Sequence, residues 1–147
     1  MRKLLFAVFM VVMLGTPALA ATSSVYTDLD RCKSEDTGED RFFYECKSPD
    51  GRVVSFLYDE GRARIIVDFD LDSPSAGKII EVGLSGRVFG KKAEWRMRNG
   101  KACAVIIRVN TTVGSRLIVT SLIGPARQVG SVKGNEEARR LADAACN

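Results

Sequence analysis

The chain has no histidine among its 147 residues. That absence removes Ser–His–Asp and Cys–His catalysis, imidazole general acid–base chemistry and most zinc or haem sites. Close C-x-x-C spacing is missing too, which argues against a structural metal site. The G-x-S-x-G pattern does not occur, so no serine stands on a nucleophile elbow. Asp and Glu are plentiful enough for a paired-carboxylate glycosidase, yet no spacing singles out two of them. These absences leave no assembled set of catalytic roles, and a conventional enzyme is not expected.

What is present is ordinary globular material. Apolar residues make up 46% and charged residues 27% of the chain, enough to bury a core, and the length suits one domain. Residues 1–20 read as an export leader: Arg2 and Lys3, an apolar run from Leu4 to Leu14, then Pro17-Ala18-Leu19-Ala20 with an A-x-A cleavage pattern. As a membrane anchor the run is short, since spanning takes about 20 apolar residues. No cysteine lies near the cleavage site, so a lipoprotein anchor is not expected either. The leader carries two of the 22 basic residues and none of the 18 acidic ones, which leaves +2 for residues 21–147. So small a charge gives little reason to expect nucleic acid as a partner. The expected location is the periplasm or the exterior, with no transmembrane segment once the leader is removed.

All four cysteines, Cys32, Cys46, Cys103 and Cys146, follow the leader. An even number in a small exported chain reads as disulfides, and four cysteines allow three pairings. Cys32–Cys46 and Cys103–Cys146 are favoured. The first pair brackets a polar stretch, Lys33 to Arg41, that reads as a loop. The second ties a strand to a terminal helix. In the chain-entropy account the two bridges stabilise by about 3 and about 4 kcal/mol.

Period-two alternation begins at residue 41. Phe42, Tyr44 and Cys46 alternate with Phe43 and Glu45, Ser48-Pro49-Asp50-Gly51 turns the chain, and Arg52 to Tyr58 follows. Asp59-Glu60-Gly61 turns again into a strand over 62–70, with Ala63, Ile65, Val67 and Phe69 on one face. The stretch with Gly77, Gly83, Gly86 and Gly90 reads as mostly loop, with a short strand near 79–82. Asn99-Gly100 predicts a two-residue type I′ hairpin between Glu94–Arg98 and Lys101–Val109. Simple pairing across it places Trp95, Met97, Ala102, Ala104 and Ile106 on the core face, and Cys103, Val105, Ile107 and Val109 on a second apolar face that needs a cover. Arg116 to Leu122 is a further strand. Asn135 is placed to cap a helix over 135–146, with Glu136 and Glu137 in its first turn. Ala138, Leu141, Ala142, Ala145 and Cys146 form its apolar stripe, so a bond to Cys103 would clamp this helix across the sheet.

Two clusters bear on chemistry. Asp68-x-Asp70-x-Asp72 begins like a calcium loop, but the sixth and twelfth positions hold Ser73 and Ile79 where glycine and glutamate are required, so a solvated carboxylate row is expected. Arg87, Lys91, Lys92, Arg96, Arg98 and Lys101 form the densest basic cluster. They read either as a contact surface for an acidic partner, glycan or lipid head group, or as a solvated strand face with edge-protecting charge.

Three segments taken together, Tyr26-Thr27-Asp28-Leu29-Asp30 before Cys32, Glu94 to Lys101, and Glu137 to Asp143 near Cys146, resemble a family of small exported proteins of Gram-negative bacteria. The resemblance implies export, strands and a terminal helix, and implies no activity. The chain is also similar, over shorter stretches, to periplasmic and membrane-bound inhibitors of c-type lysozyme. Tyr44-Glu45-Cys46 stands at their strand end, and Ser85-Gly86-Arg87-Val88-Phe89 matches their S-G-x-x-Y loop with Phe for Tyr. Asn99-Gly100 stands where they carry Lys-Gly, so Lys101 or Arg98 would have to supply the cation, and the terminal helix departs from their closed barrel.

The expected fold is therefore α+β, mainly β: an antiparallel sheet or partly closed barrel of six to seven strands with one C-terminal helix, stapled by disulfides. The expected function is a non-enzymatic binding module at the cell envelope, taking an envelope protein or glycan and no cofactor, with lysozyme inhibition as the alternative. The candidate contact residues are Ser85, Gly86, Arg87, Lys91, Lys92, Arg96, Arg98 and Lys101.

Overall fold

Turn chemistry fixes the central meander. The computed structural model describes residues 21–38, 41–68, 79–82 and 87–147, so residues 1–20, expected to be an export leader, and residues 69–70 lie outside the described residues. Strands β3 (Arg41–Lys47) and β4 (Val53–Asp59) pair antiparallel around the Ser48–Gly51 turn, which Gly51 N closes on Ser48 O at 2.9 Å. Glu60 and Gly61 both take positive φ, the type I′ geometry, and pass the chain into β5 (Arg62–Val67). Of the expected strand over 62–70, the described part is extended to Val67, and Asp68, at φ 58°, leaves the extended region while its N–H still donates to Val53 O at 2.8 Å.

Three strands not foreseen complete the architecture. β1 (Ser23–Asp28) precedes a 3₁₀ turn at Leu29–Arg31, and β2 (Lys33–Asp36) occupies the stretch expected to be a loop. The remaining strands are β6 (Ile80–Glu81), β7 (Phe89–Arg98), β8 (Lys101–Thr111), β9 (Gly114–Ser121) and β10 (Arg127–Val132). Among the described residues ten strands, rather than six or seven, make two five-stranded antiparallel sheets, ordered β1-β7-β8-β9-β10 and β2-β3-β4-β5-β6. Among the described residues the two sheets stay separate and do not close into a barrel. The unforeseen β1, β2 and β10 are all edge strands; every residue of β2 is exposed, so no alternation marks it.

The sheets face each other across one core. Val54, Phe56, Ala63 and Ile65 from one meet Phe89, Trp95, Val105, Ile107 and Ile118 from the other. Each large side chain fully buried there contributes about 1.5–3 kcal/mol. Trp95 also donates its indole N–H to Thr27 Oγ1 at 2.8 Å, which satisfies its one polar atom.

The hairpin at Asn99-Gly100 forms as expected, both residues at positive φ, with Arg98 opposite Lys101 and Met97 opposite Ala102. The register then shifts: Arg96 pairs with Ala104, not Cys103, and Trp95 with Val105, not Ala104. One extra residue in β8 reverses the facing of everything beyond it. Val105, Ile107 and Val109 therefore join the inter-sheet core. Cys103, Ala104 and Ile106 lie on the opposite face, under α1 (Asn135–Ala145). The expected second apolar face exists and the helix covers it, but Ala104 and Ile106 belong to that face and Val105, Ile107 and Val109 do not.

Helix α1 begins one residue differently from expectation. Gly134 occupies the cap position and Asn135 is already helical, so no side chain caps the first turn. Ala138 and Ala142 are fully buried against Leu117, Val119 and Ile106. Both favoured disulfides are present: Cys32–Cys46 joins the end of the 3₁₀ turn to β3, and Cys103–Cys146 joins β8 to the end of α1.

Candidate functional site

A second irregularity in β7 builds a charged site beside α1. Phe89 pairs with Val109 and Ala93 with Ile107, so Gly90, Lys91 and Lys92 together oppose Arg108 alone. A Cβ at Gly90 would lie 2.9 Å from the Arg108 Cβ, and only glycine allows the strands to approach here. The bulge lets consecutive lysines, which in a regular strand point to opposite faces, border one cavity of about 350 Å³ beside α1.

The walls of this cavity are specific. Ile106 and Leu117, both buried, line it with apolar surface, and Tyr26, half-exposed on β1, lines it with an aromatic side chain. Arg108 and Arg139 add two cations to the exposed Lys91 and Lys92. Among the described residues, Glu94 is the one carboxylate in the wall. It accepts from Arg139 Nε at 2.7 Å and from Ser24 Oγ at 2.6 Å, and its hydrogen bond holds the Arg139 guanidinium above its ordinary pKa. Arg139 also donates to the Tyr26 hydroxyl at 2.9 Å, leaving that hydroxyl hydrogen to point elsewhere. Asp28 pairs with Lys92 along the strands, but its carboxylate accepts from Asp30 N at 3.1 Å. Among the described residues, neither lysine has a carboxylate within 4.0 Å. The cavity thus offers a ligand donors and positive charge.

The other cations of the cluster are placed differently. Arg87 pairs with Asp30 at 2.8 Å and donates to Phe89 O. Arg96 is 7% exposed and grips Asp143 of α1 through two hydrogen bonds, at 2.7 and 2.9 Å. Arg98 donates to Cys146 O at 2.7 Å, where a cation meets the carbonyl end of the helix. Lys101 is exposed at the hairpin. Ser85 and Gly86 lie outside the described residues, as do Asp70 and Asp72 of the acidic row. The six cations therefore do not form one patch. Arg108 and Arg139, which sequence reasoning missed, complete the site instead. Arg108 is the one charge interrupting the apolar run from Ala102 to Val109, a signal that was readable.

A larger cleft of about 630 Å³ lies at the hairpin end, lined by Asp50, Arg52, Arg98, Lys101, Leu122 and the Cys103–Cys146 bridge among others. Its polar groups are largely committed to the fold. Arg52 donates to Leu122 O and pairs with Asp68 at 2.8 Å. Asp50 accepts from Ser48 Oγ and from Ala102 N at 3.1 Å, pinning the β3–β4 turn to β8. Burial raises the Asp50 pKa, but the Ser48 and backbone hydrogen bonds and the Arg52 charge outweigh it and hold the carboxyl below its ordinary 3.8. A depressed folded pKa gives stability that is present above the unfolded value and lost as pH falls through the folded one. Asp50→Asn should therefore flatten the loss of stability below about pH 4. Urea midpoints measured across that range check this; an acid limb as steep as that of the parent would refute it.

Among the described residues, no group of three or more His, Cys, Asp or Glu side chains is placed to hold a metal ion, and no helix is long and apolar enough to cross a membrane. In comparisons with known proteins, the chain matches no family model, no curated protein and no solved structure.

Proposed function

We propose that this chain is a disulfide-stapled binding module that works outside the cytoplasm and takes an anionic envelope ligand on the helix side of its first sheet. The observation that carries this reading is the cation-rich cavity at the Gly90–Lys92 bulge: among the described residues four cations border it, and the carboxylate in its wall already accepts from Arg139 and Ser24. The paired cysteines support an oxidising compartment. The larger cleft supports binding less well, because its charged groups hold the turn, the hairpin and the helix end together.

The test is a titration of the oxidised protein with small carboxylate and phosphate anions, followed residue by residue in amide spectra. Shifts should concentrate at Tyr26, Lys91, Lys92, Arg108 and Arg139, and the double variant Lys91→Ala/Lys92→Ala should abolish them. Shifts centred on the hairpin cleft, or none at all, would remove the reading. Slowing of c-type lysozyme that is lost with Lys101→Ala would instead favour the inhibitor reading, for which Lys101 is the exposed cation at the hairpin.

A further inference from the structure

We infer that the bulge cavity is built for a phosphomonoester carried on a sugar-sized group. The inference rests on the anionic-ligand reading above and narrows it to one chemistry.

Charge comes first. Among the described residues, Lys91, Lys92, Arg108 and Arg139 face the cavity against Glu94 alone. A carboxylate or a phosphodiester brings one negative charge and leaves most of that field unbalanced. A phosphomonoester brings about −1.5 to −2 with three acceptor oxygens. Lysine ammonium groups suit it as point charges with three donors each, and neither lysine is held by a carboxylate of the described residues.

Arrangement comes second. Arg139 is fixed in place by Glu94 and Tyr26 through Nε and Nη2, so its remaining Nη1 donors are oriented before any ligand arrives. Arg108 bonds Ser115 Oγ through Nη1 at 3.2 Å and keeps its other donors. Ligand ordering therefore costs the protein little on the arginine side, which is where preorganisation adds affinity. The lysines, exposed on the bulge, supply the mobile contacts.

The remaining walls define the rest of the ligand. Ile106 and Leu117 give a buried apolar surface, and Tyr26 gives a half-exposed ring beside a hydroxyl free to donate. A carbon ring with hydroxyls fits such a mixture. The volume, about 350 Å³, is at the small end of the range of about 300–1,000 Å³ typical of ligand pockets, suited to a single ring with one charged substituent. Phosphorylated head groups of lipids and soluble sugar phosphates share this chemistry.

The experiment measures binding of the oxidised protein to glucose 6-phosphate, glucuronate and glucose by calorimetry. In parallel it measures sedimentation with phosphatidylcholine vesicles with and without phosphatidic acid. Glucose 6-phosphate, phosphatidic acid vesicles or both should be retained, with the sugar phosphate or vesicle arm about tenfold or more tighter than glucuronate. Retention by vesicles alone assigns the lipid source, and by the sugar phosphate alone the soluble one. Lys91→Ala/Lys92→Ala should weaken that binding about tenfold or more, while Lys47→Ala on the other sheet should change it less than about twofold. The ligand's second ionisation lies near 6, so its affinity should rise from about pH 5 to pH 7. The charged groups around the site are lysine, arginine, Glu94, Asp28 and the Glu136 and Glu137 of the first helical turn, and the chain has no histidine to imitate that rise. Glucuronate binding as tightly as the phosphates would overturn the phosphomonoester assignment and leave the anionic-ligand reading standing. If no anion binds, both fall.

Discussion

A Cys103→Ala/Cys146→Ala variant should lose about 4 kcal/mol of stability, and its terminal helix should lose most of its order with it. The bridge closes a loop with a sequence separation of 43, against 14 for Cys32–Cys46, so the loop-entropy account gives the larger effect to the second bridge and about 3 kcal/mol to the first. Position compounds entropy. Cys146 follows the last helical residue, and α1 has only 11 residues, fewer than an isolated helix needs to persist in water. Its order depends on docking, and the bridge holds the end that would otherwise fray. The Arg98 contact to Cys146 O is lost as that end moves away. Release uncovers Ala104, Ile106, Leu117 and Val119, buried apolar residues that the helix now shields. The variant should therefore bind a hydrophobic dye that the parent does not, and its urea midpoint should fall by about 2 M for a slope near 2 kcal/mol/M. A midpoint within about 0.5 M of the parent, with helical circular dichroism retained, would show that non-covalent packing alone seats the helix.

Much of this arrangement was legible because it is local. The Asn99-Gly100 turn, the Ser48–Gly51 turn and the stripe that places Cys146 against the sheet each follow from a few neighbouring residues. The facing of β8 was not legible. Ala102 to Ile107 is apolar on both faces, so alternation within that stretch does not reveal the extra residue near Cys103 that exchanges Ala104 with Val105. Strands β1, β2 and β10 escaped for a different reason. An edge strand is held by backbone pairing on one side, and Lys33-Ser34-Glu35-Asp36 needs no buried side chain to stay extended. The candidate site divides in the same way. Lys91 and Lys92 were visible as charge, but the bulge that turns them to one cavity depends on the register of β7 against β8 on either side of Arg108, and Arg139 arrives from a helix some 45 residues away from Glu94.

Replacing Arg96 by methionine should cost about 3 kcal/mol, and replacing Asp143 by leucine as well should restore most of the loss. The Arg96 side chain is 9% exposed and that of Asp143 is 36%. Removing the guanidinium leaves a partly buried carboxylate without its two hydrogen bonds, and leaves Ser24 Oγ and Thr22 Oγ1 without their donor. Breaking a buried pair costs about 3–5 kcal/mol, and the partial exposure of Asp143 puts this one at the low end. Removing both charges relieves the unpaired carboxylate, because a buried ion pair adds little over apolar residues of similar volume. The pair's contribution is instead to position. On α1, Arg139 and Asp143 are four residues apart, a rise of about 6 Å; on β7, Glu94 and Arg96 are two apart, about 6.7 Å. The spacings match and the signs cross, so Arg139 meets Glu94 while Asp143 meets Arg96. Sliding or reversing the helix would set like charges together. The double variant should therefore be nearly as stable as the parent yet less uniquely seated, with broadened amide signals over α1 and weaker protection of its amides from exchange. A double variant as destabilised as Arg96→Met alone would show that the guanidinium acts through Ser24 and Thr22 rather than through the helix. Sharp signals and full protection would show that the apolar stripe and the Cys103–Cys146 bridge fix the register without these charges.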